Sequence, residues 1–278
     1  MTAMTEPGGI GAELYLDLLK KVLTREIVPD RYRRLSGSKR NVWARLMLSP
    51  VDAVLTRFGL ALCRSRFDRA VRHAGADWPP EAETMIGRLR LDNLHECVVD
   101  VLAHDVSGDF IETGVWRGGA CIFMRAALKA YGDSSRAVWA ADSFEGFPRP
   151  RPEDGGSTLH RFNDILGVSL QEVKDNFQRY GLLDDQVKFI PGWFKDSLPT
   201  APITQLAILR LDSDWYSSTI DALTNLYPKL SPGGYVIVDD YGAFPVCRQA
   251  IHDFRAQQGI SEPLQQIDAT GVFWQRQS

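Results

Sequence analysis

Five short apolar runs, separated by segments with helical periodicity, set the pattern of the chain from residue 108 onward. The runs are 110–111, 137–142, 187–190, 206–211 and 235–238. Helices are predicted at 89–102, 120–131, 170–180, 216–230 and 245–258, with turn residues at 231–234 and two closing strands at 264–268 and 271–275. Strands that alternate with helices form a parallel sheet with right-handed crossovers. The pattern therefore predicts a doubly wound α/β domain that ends in an antiparallel hairpin.

The first apolar run leads into a glycine-rich turn. Phe110 and Ile111 are followed by Glu112 and Thr113, and then by glycines at positions 114, 118 and 119. Glycines between a strand and a helix let the backbone come close to a ligand, with the helix N–H groups facing it. The spacing matches neither a phosphate-binding loop nor a complete dinucleotide fingerprint. Considered alone, a tight turn without a ligand explains this stretch equally well.

The second apolar run ends in an acid, Asp142. An acid at the end of the second strand is the usual hydrogen-bond partner of the two ribose hydroxyls of a nucleotide cofactor. Together with the glycine turn, Asp142 indicates a cofactor that contains a nucleoside. The sequence Glu112-Thr113-Gly114 without the dinucleotide spacing favours S-adenosylmethionine over NAD.

Two later strands also end in acids. The run 206–211 is followed by Asp212 and Asp214, and the run 235–238 is followed by Asp239 and Asp240. Ligands of doubly wound sheets bind at the carboxyl ends of the strands, so these acids are expected to converge there. Converging carboxylates repel one another unless a cation joins them, and a site with only oxygen ligands suits Mg²⁺. Turn formation alone is the alternative, and the position beside the glycine turn favours the metal site.

Several stretches resemble the macrocin O-methyltransferase family. They are residues 84–87, 110–119, 141–146, 192–196 and 238–241. The resemblance covers about residues 78–274 and implies a Rossmann-like class I methyltransferase fold, with a mostly parallel seven-stranded sheet and an antiparallel C-terminal strand. It also implies an enzyme that uses S-adenosylmethionine and Mg²⁺ to methylate hydroxyl groups of antibiotic sugars and aminocoumarins.

The same resemblance assigns site residues. The cofactor-binding residues that it implies are Thr84, Met85, Glu112, Thr113, Gly114, Asp142, Ser143, Gly192, Trp193 and Phe194, and the implied metal ligands are Asp212, Asp239 and Asp240. Glu112 and Thr113 are expected beside the methionine and ribose part, and Asp142 at the ribose hydroxyls. Trp193 or Phe194 is expected against the adenine, although core packing explains these two aromatic residues equally well.

Methyl transfer from a sulfonium to an oxygen is an in-line displacement, which requires alignment of the two groups and activation of the hydroxyl. Asp212 is the predicted proton acceptor, and His160, just beyond the long loop 147–157, is a rival base. Two positions depart from the expected pattern. Ser217 stands where the family has an acid, and Trp215 stands where distant catechol-type methyltransferases have a lysine base.

Residues 1–77 form a predicted helical N-terminal extension ahead of a catalytic domain at 78–278. An amphipathic helix is predicted at 12–27, and residues 31–72 contain eleven Lys and Arg residues against two Asp residues, with apolar residues between them. This mixture fits a membrane surface, an acidic partner protein or a dimer contact. We expect helices that close over the acceptor pocket as a lid, in a homodimer or a higher homo-oligomer.

Composition adds few constraints. A net charge of −3 gives no indication of a nucleic-acid partner. Four scattered cysteines predict reduced thiols and a cytoplasmic protein, and no uncharged run is long enough to span a bilayer. The expected acceptor is a small natural product, with an antibiotic deoxysugar favoured over a phenol or catechol. A non-catalytic nucleoside-binding protein is the remaining alternative, although it would have no use for Asp212, Asp239 and Asp240.

Overall fold

The computed structural model describes residues 9–30, 32–34, 50–51, 53–65 and 67–277. Its helices are α1 (Ile10–Leu23), α2 (Arg69–His73), α3 (Arg88–Ala103), α4 (Gly119–Ala130), α5 (Asn163–Leu166), α6 (Leu170–Arg179), α7 (Phe194–Ser197), α8 (Tyr216–Leu226) and α9 (Pro245–Gln258). Residues 50–51 and 53–57 are also helical. The 3₁₀ turns are Pro152–Asp154, Leu159–Phe162 and Tyr227–Lys229. The strands are β1 (Tyr32–Arg34), β2 (Cys63–Ser65), β3 (Asp109–Thr113), β4 (Val138–Asp142), β5 (Val187–Pro191), β6 (Leu206–Leu211), β7 (Leu230–Val238), β8 (Gln265–Gln266) and β9 (Val272–Gln275).

Strands β3 to β9 form one seven-stranded sheet in the order β5-β4-β3-β6-β7-β9-β8. The pairs among β3 to β7 are parallel, whereas β9 runs antiparallel to both β7 and β8. The strand order reverses direction between β3 and β6, which is the topological switch point where doubly wound folds bind their ligands. The predicted fold class, a Rossmann-like sheet with an antiparallel C-terminal end, is confirmed.

The alternation of side chains along the strands produces two cores. On β3, Phe110 packs into the core beneath α1, α3 and α4, while Ile111 faces the core beneath α8 and α9. Helix α4 is the most enclosed, because its residues from 119 to 128 are all buried. The glycine turn that precedes α4 is therefore held between a central strand and a central helix.

Helix α1 belongs to the core of the catalytic domain. Leu16, Leu19 and Leu23 are buried in the same cluster as the helices α3 and α4. Lys20 forms a 2.7 Å ion pair with Asp92 of α3. The part of the predicted extension that contains α1 is thus packed against the domain on one side.

The described part of the extension also contains an element that the sequence did not predict. Strands β1 and β2 form a two-stranded antiparallel ladder, so the extension contains strands in addition to the predicted helices. Strands of three residues are too short for a period-two pattern to be recognised. Much of the basic and apolar mixture, at 35–49, lies outside the described residues.

The predicted turn at 231–234 is wrong, since these residues lie within β7. The strand accommodates them through an irregularity, where Leu206 pairs with Leu230 and Ile208 with Tyr235. Helix α8 ends at Leu226, before the predicted residue 230, and a 3₁₀ turn follows. The backbone nitrogen of Pro228 carries no hydrogen and cannot continue the α-helical hydrogen bonds.

Candidate active site

A cavity of about 860 Å³ lies at the carboxyl ends of the parallel strands. Of the sequence-predicted site residues, it is lined by Thr84, Met85, Glu112, Gly114, Asp142, Ser143, Gly192, Trp193, Phe194, Asp212, Asp239 and Asp240. Thr113 does not line it: its buried side chain points away, and its backbone carbonyl accepts from the Asp212 N–H at 2.9 Å. His160, the rival base, is not part of the lining either.

The glycine turn approaches the neighbouring strand at a distance that no side chain permits. Gly114 has a φ of +86°, and a Cβ atom built there would lie 1.8 Å from the carbonyl oxygen of Asp212. The Asp142 carboxylate then fastens the turn to β4, because it accepts from the N–H groups of Val115 and Phe144 at 2.8 Å each. Burial raises the pKa of Asp142, although these hydrogen bonds oppose the shift. Asp142 therefore shapes the turn as well as lining the cavity.

The segment around Thr84 covers the beginning of α4. The N–H of Gly119 donates to the Glu83 carbonyl at 3.0 Å, and a Cβ at Gly119 would lie 2.5 Å from the Thr84 Cβ. Arg72, almost fully buried, donates to the carbonyls of Met85 and Ile86. Helix α2, near the end of the predicted extension, thereby helps to hold one wall of the cavity.

Glu112 is buried at the end of β3 and already has partners on both carboxylate oxygens. Arg210 donates to its Oε1, and the thiol of Cys121 donates to its Oε2 at 2.9 Å. Burial raises the pKa of Glu112 to about 7, against the opposing effect of Arg210. Glu112 thus belongs to an internal charge network at the cavity wall.

Oxygen atoms of Asp212, Asp239 and Asp240 lie within 4.8 Å of one another. Asp214 is close to them, and burial together with the Asp212 carboxylate raises the pKa of Asp214 to about 8. Burial and repulsion from Asp214 likewise raise the pKa of Asp240. Among the described residues, the Asp240 Oδ2 is buried without a hydrogen-bond partner. A cluster in this state favours binding a cation or a proton.

The three clustered acids differ in how they are held. Asp239 accepts from Arg210 on Oδ1 and from Arg90 on Oδ2. Asp212 accepts from Arg210 at 2.9 Å on Oδ2, and its side chain is 30% exposed. Arg90 comes from α3 and is anchored by Asp268 at 2.7 Å. Asp239 is therefore fixed by two guanidinium groups, while Asp212 remains accessible from the cavity.

The aromatic pair after β5 lies at the cavity. Trp193 and Phe194 both line it, at the start of α7. Phe194 also packs against the core beneath α8 and α9. Core packing therefore holds for Phe194, and contact of either ring with the adenine stays a prediction.

The loop 147–157 is tied to the beginning of α8. Asp154 accepts from the Ser217 N–H at 2.9 Å and from the Ser217 hydroxyl at 3.0 Å. The indole N–H of Trp215 donates to the Ser157 hydroxyl at 2.9 Å, and the ring of Trp215 lies 5.1 Å from that of Phe147. A carboxylate therefore still stands at the N-terminus of α8, where it is favourable, but the loop supplies it in place of residue 217.

Sequence reasoning missed the two arginines of the site. Arg210 is a single charged residue in the otherwise apolar strand Leu206–Leu211, and it is 1% exposed. A buried charge requires a partner, so this break in an apolar strand was a usable signal. Arg90 gave no such signal, because it lies in an ordinary helical pattern and reaches Asp239 only through the tertiary fold.

Comparison with known proteins places this geometry in a family. The model of the family described as Macrocin-O-methyltransferase (TylF) matches residues 12–276. The chain belongs to that family. It is an O-methyltransferase, and the predicted enzyme class is confirmed. The family membership also favours the enzyme over a non-catalytic nucleoside-binding protein.

Relatives within the family cover nearly the whole chain. The 8-demethyl-8-(2,3-dimethoxy-alpha-L-rhamnosyl)-tetracenomycin-C 4'-O-methyltransferase of Streptomyces olivaceus is 52% identical over 266 residues, which are 94% of this chain and 92% of that protein. The demethyldecarbamoylnovobiocin O-methyltransferase of Streptomyces niveus is 49% identical, over 95% and 94% of the two chains. The solved structure of the O-methyltransferase NovP superimposes with a TM-score of 0.82 at 46% identity, covering 96% of this chain and all of that one.

Proposed function

We propose that this enzyme transfers a methyl group from S-adenosylmethionine to a hydroxyl group on the sugar of an antibiotic, with Mg²⁺ bound at the acidic cluster. The observation that carries the proposal is that a single cavity brings together the glycine turn, the second-strand acid and the clustered carboxylates. A glycine turn by itself is compatible with many nucleotide ligands. Acidic residues after a strand can also serve only to form a turn. Their combination at one switch point supports methyl transfer to an oxygen.

The residues of the cavity fit the cofactor. Gly114 and Gly118 have positive φ angles of +86° and +87°, so the backbone turns closely at the ligand side of β3. Helix α4 begins immediately afterwards and directs its free N–H groups toward the same end of the sheet. We assign the methionine part to the region of Glu112, the ribose to Asp142 and the adenine to the Trp193 side.

The acidic cluster fits a magnesium ion. It offers only oxygen ligands, and one of these, the Asp240 Oδ2, is buried without a partner among the described residues. Asp212 and Asp240 would hold the ion, with Asp239 contributing the electron pairs that its arginines leave free. When bound, Mg²⁺ supplies Lewis-acid stabilisation of the negative charge that develops on the acceptor oxygen.

The chain's own residues supply alignment and proton removal. The acceptor oxygen forms a bond to the methyl carbon, the carbon–sulfur bond breaks, and S-adenosylhomocysteine leaves. Asp212 takes the hydroxyl proton, because its partly exposed carboxylate is accessible from the cavity while Arg210 holds one of its oxygens. The cavity walls hold both reactants in place, and such positioning can lower the barrier by about 7–11 kcal/mol.

An antibiotic glycoside is the acceptor that we favour. The tetracenomycin relative is named for a rhamnosyl substrate and the novobiocin relative for an aminocoumarin antibiotic. The cavity contains several aromatic side chains on which a sugar ring or a fused aromatic scaffold can stack, including Trp78, Phe147 and Phe244. Free cysteines at all four positions are in keeping with a cytoplasmic enzyme. No helix in the described ranges combines the length and apolarity required to cross a membrane.

We further propose that the N-terminal extension serves as the lid of a homodimer. Residues 74–78 line the cavity, which supports a role at the acceptor. On α1, the side chains of Ile10, Leu14 and Leu18 are 82%, 66% and 52% exposed, which supports a subunit contact on this face. Light scattering after size exclusion tests the assembly. A monomer mass that stays constant at micromolar concentration would contradict the dimer.

The proposed function is tested with purified enzyme, S-adenosylmethionine and a panel of glycosylated and phenolic antibiotics, with methylated products detected by mass spectrometry. We expect methylation of a glycoside that stops with EDTA and returns with Mg²⁺. Asp212→Asn is expected to lower kcat by at least about 100-fold, whereas the exposed control Asp175→Asn keeps it unchanged. Full turnover in EDTA would disprove the metal, and methylation of phenols alone would disprove the sugar acceptor.

A further inference from the structure

Arg210 connects three acids that belong to three adjacent strands. Its guanidinium donates to Glu112 at the end of β3, to Asp212 after β6 and to Asp239 after β7. It is 1% exposed, so solvent contributes almost nothing to its charge balance. A buried arginine in such a place is held by its carboxylates, and the carboxylates are held by it.

The strand register brings these groups together. Arg210 pairs with Glu112 on β3 and with Ile237 on β7, so the side chains of Glu112 and Arg210 lie side by side on one face of the sheet. Asp239 follows Ile237 by two residues and therefore emerges on the same face. The contact is built into the sheet and does not depend on a flexible loop.

We propose that Arg210 is a positioning residue that couples the cofactor end of the cavity to the acidic cluster; this inference rests on the proposed function. Its planar fork presents donors in fixed directions, so it sets the position of Glu112 relative to Asp212 and Asp239. Glu112 lies at the cofactor side, and Asp212 accepts the proton. Arg210 thereby aligns the methyl donor with the activated hydroxyl without touching either reactant.

A second arginine, Arg90, holds Asp239 in place independently of Arg210. Asp239 is held by Arg210 on one oxygen and by Arg90 on the other, and Arg90 is itself anchored by Asp268. Asp268 in turn accepts from the N–H groups of Thr270 and Gly271 at 2.9 and 2.8 Å. The β7 side of Arg210 is therefore rigidly anchored, so a change at Arg210 is transmitted to Glu112 and Asp212.

The test uses Arg210→Lys, which keeps the positive charge and removes the fork. We expect kcat to fall at least about tenfold and Mn²⁺ affinity, measured by electron paramagnetic resonance without acceptor, to weaken about tenfold. The acceptor KM should change much less than kcat. The control is Arg125→Lys, since Arg125 is also buried and pairs with Asp184 at 2.6 Å, yet it does not line the cavity.

A double-mutant cycle keeps the inference testable when Arg210→Lys lowers stability. Glu112→Gln retains the shape of its side chain, and its effect on Mn²⁺ affinity is measured with Arg210 and with Lys at that position. We expect the effect to differ about threefold or more between the two backgrounds, because coupled residues are not additive. Equal effects, or unchanged kcat and Mn²⁺ affinity in folded Arg210→Lys, would overturn the positioning role. An unaltered enzyme that binds neither Mn²⁺ nor S-adenosylhomocysteine contradicts the proposed function itself, and the inference with it.

Discussion

Adding one methyl group at Gly114 should leave the protein folded and reduce its rate of methyl transfer. The Cβ of Gly114→Ala would lie 1.8 Å from the Asp212 carbonyl oxygen, so the backbone of one of the two strands must move. The positive φ of +86° adds about 1–2 kcal/mol of strain for an alanine. Overpacking adds about 1–3 kcal/mol. We therefore expect a loss of about 2–5 kcal/mol in unfolding free energy, less than a stable domain of this kind possesses.

Gly132→Ala is the matched control, because Gly132 has a φ of +75° and no atom within 4 Å of the built Cβ. It should lose only the strain of about 1–2 kcal/mol. Urea unfolding gives both stabilities, and methyl transfer gives both activities. Movement of either strand changes the position of Asp212 relative to the glycine turn, and a misplacement of about 1 Å can cost about 100-fold in rate. If folded Gly114→Ala methylates as fast as Gly132→Ala, the close approach does not position the proton acceptor.

Two further predictions concern the N-terminal part of the chain. Burial lowers the pKa of His95 from 6.5 to about 4, so the folded state keeps it neutral while the unfolded state takes up a proton. Stability should therefore rise with pH between about 4 and 6.5, by about 3 kcal/mol in all, and His95→Gln should flatten this slope in unfolding titrations, whereas the exposed control His104→Gln should not. For the cavity wall next to the extension, Trp78→Ala removes a ring that lies 5.5 Å from the ring of Phe162. The substitution should raise the acceptor KM severalfold and leave the affinity for S-adenosylhomocysteine, measured by calorimetry, unchanged. If the affinity for S-adenosylhomocysteine also falls, Trp78 belongs to the cofactor site.

The elements that the sequence predicted with correct bounds carry local signals. Helix α9 begins with Pro245 and ends before Gly259, whose φ of +67° closes it, and both limits were predicted. Strand Leu206–Leu211 was also predicted with its observed bounds, although Arg210 interrupts its apolar run. Local residue preferences are sufficient in these two places because the tertiary contacts favour the same structure.

The parts that the sequence did not predict depend on tertiary contacts. Residues 231–234 carry the composition of a turn, yet they continue the strand because Leu230 and Tyr235 on either side pair with β6 and the backbones of Gly233 and Gly234 bond to Arg276. Thr113 was expected at the cofactor beside Glu112, but successive residues of a strand point to opposite faces, and only Glu112 lines the cavity. Arg90 reaches Asp239 from a separate helix, so no spacing along the chain could have revealed it, whereas the charge of Arg210 within an apolar strand was a usable signal.

The contact between Asp154 and Ser217 has a consequence for exchanging parts among relatives. The carboxylate at the start of α8 is supplied by Asp154 of the loop 147–157, and residues 147–149 and 151 of that loop also line the cavity. Replacing the loop with one that has no acid at position 154 would leave the start of α8 without its carboxylate. Introducing an acid at position 217 alone would instead bring two carboxylates together. In this chain the loop and position 217 therefore act as one unit, and exchanging either one alone is expected to disturb the start of α8.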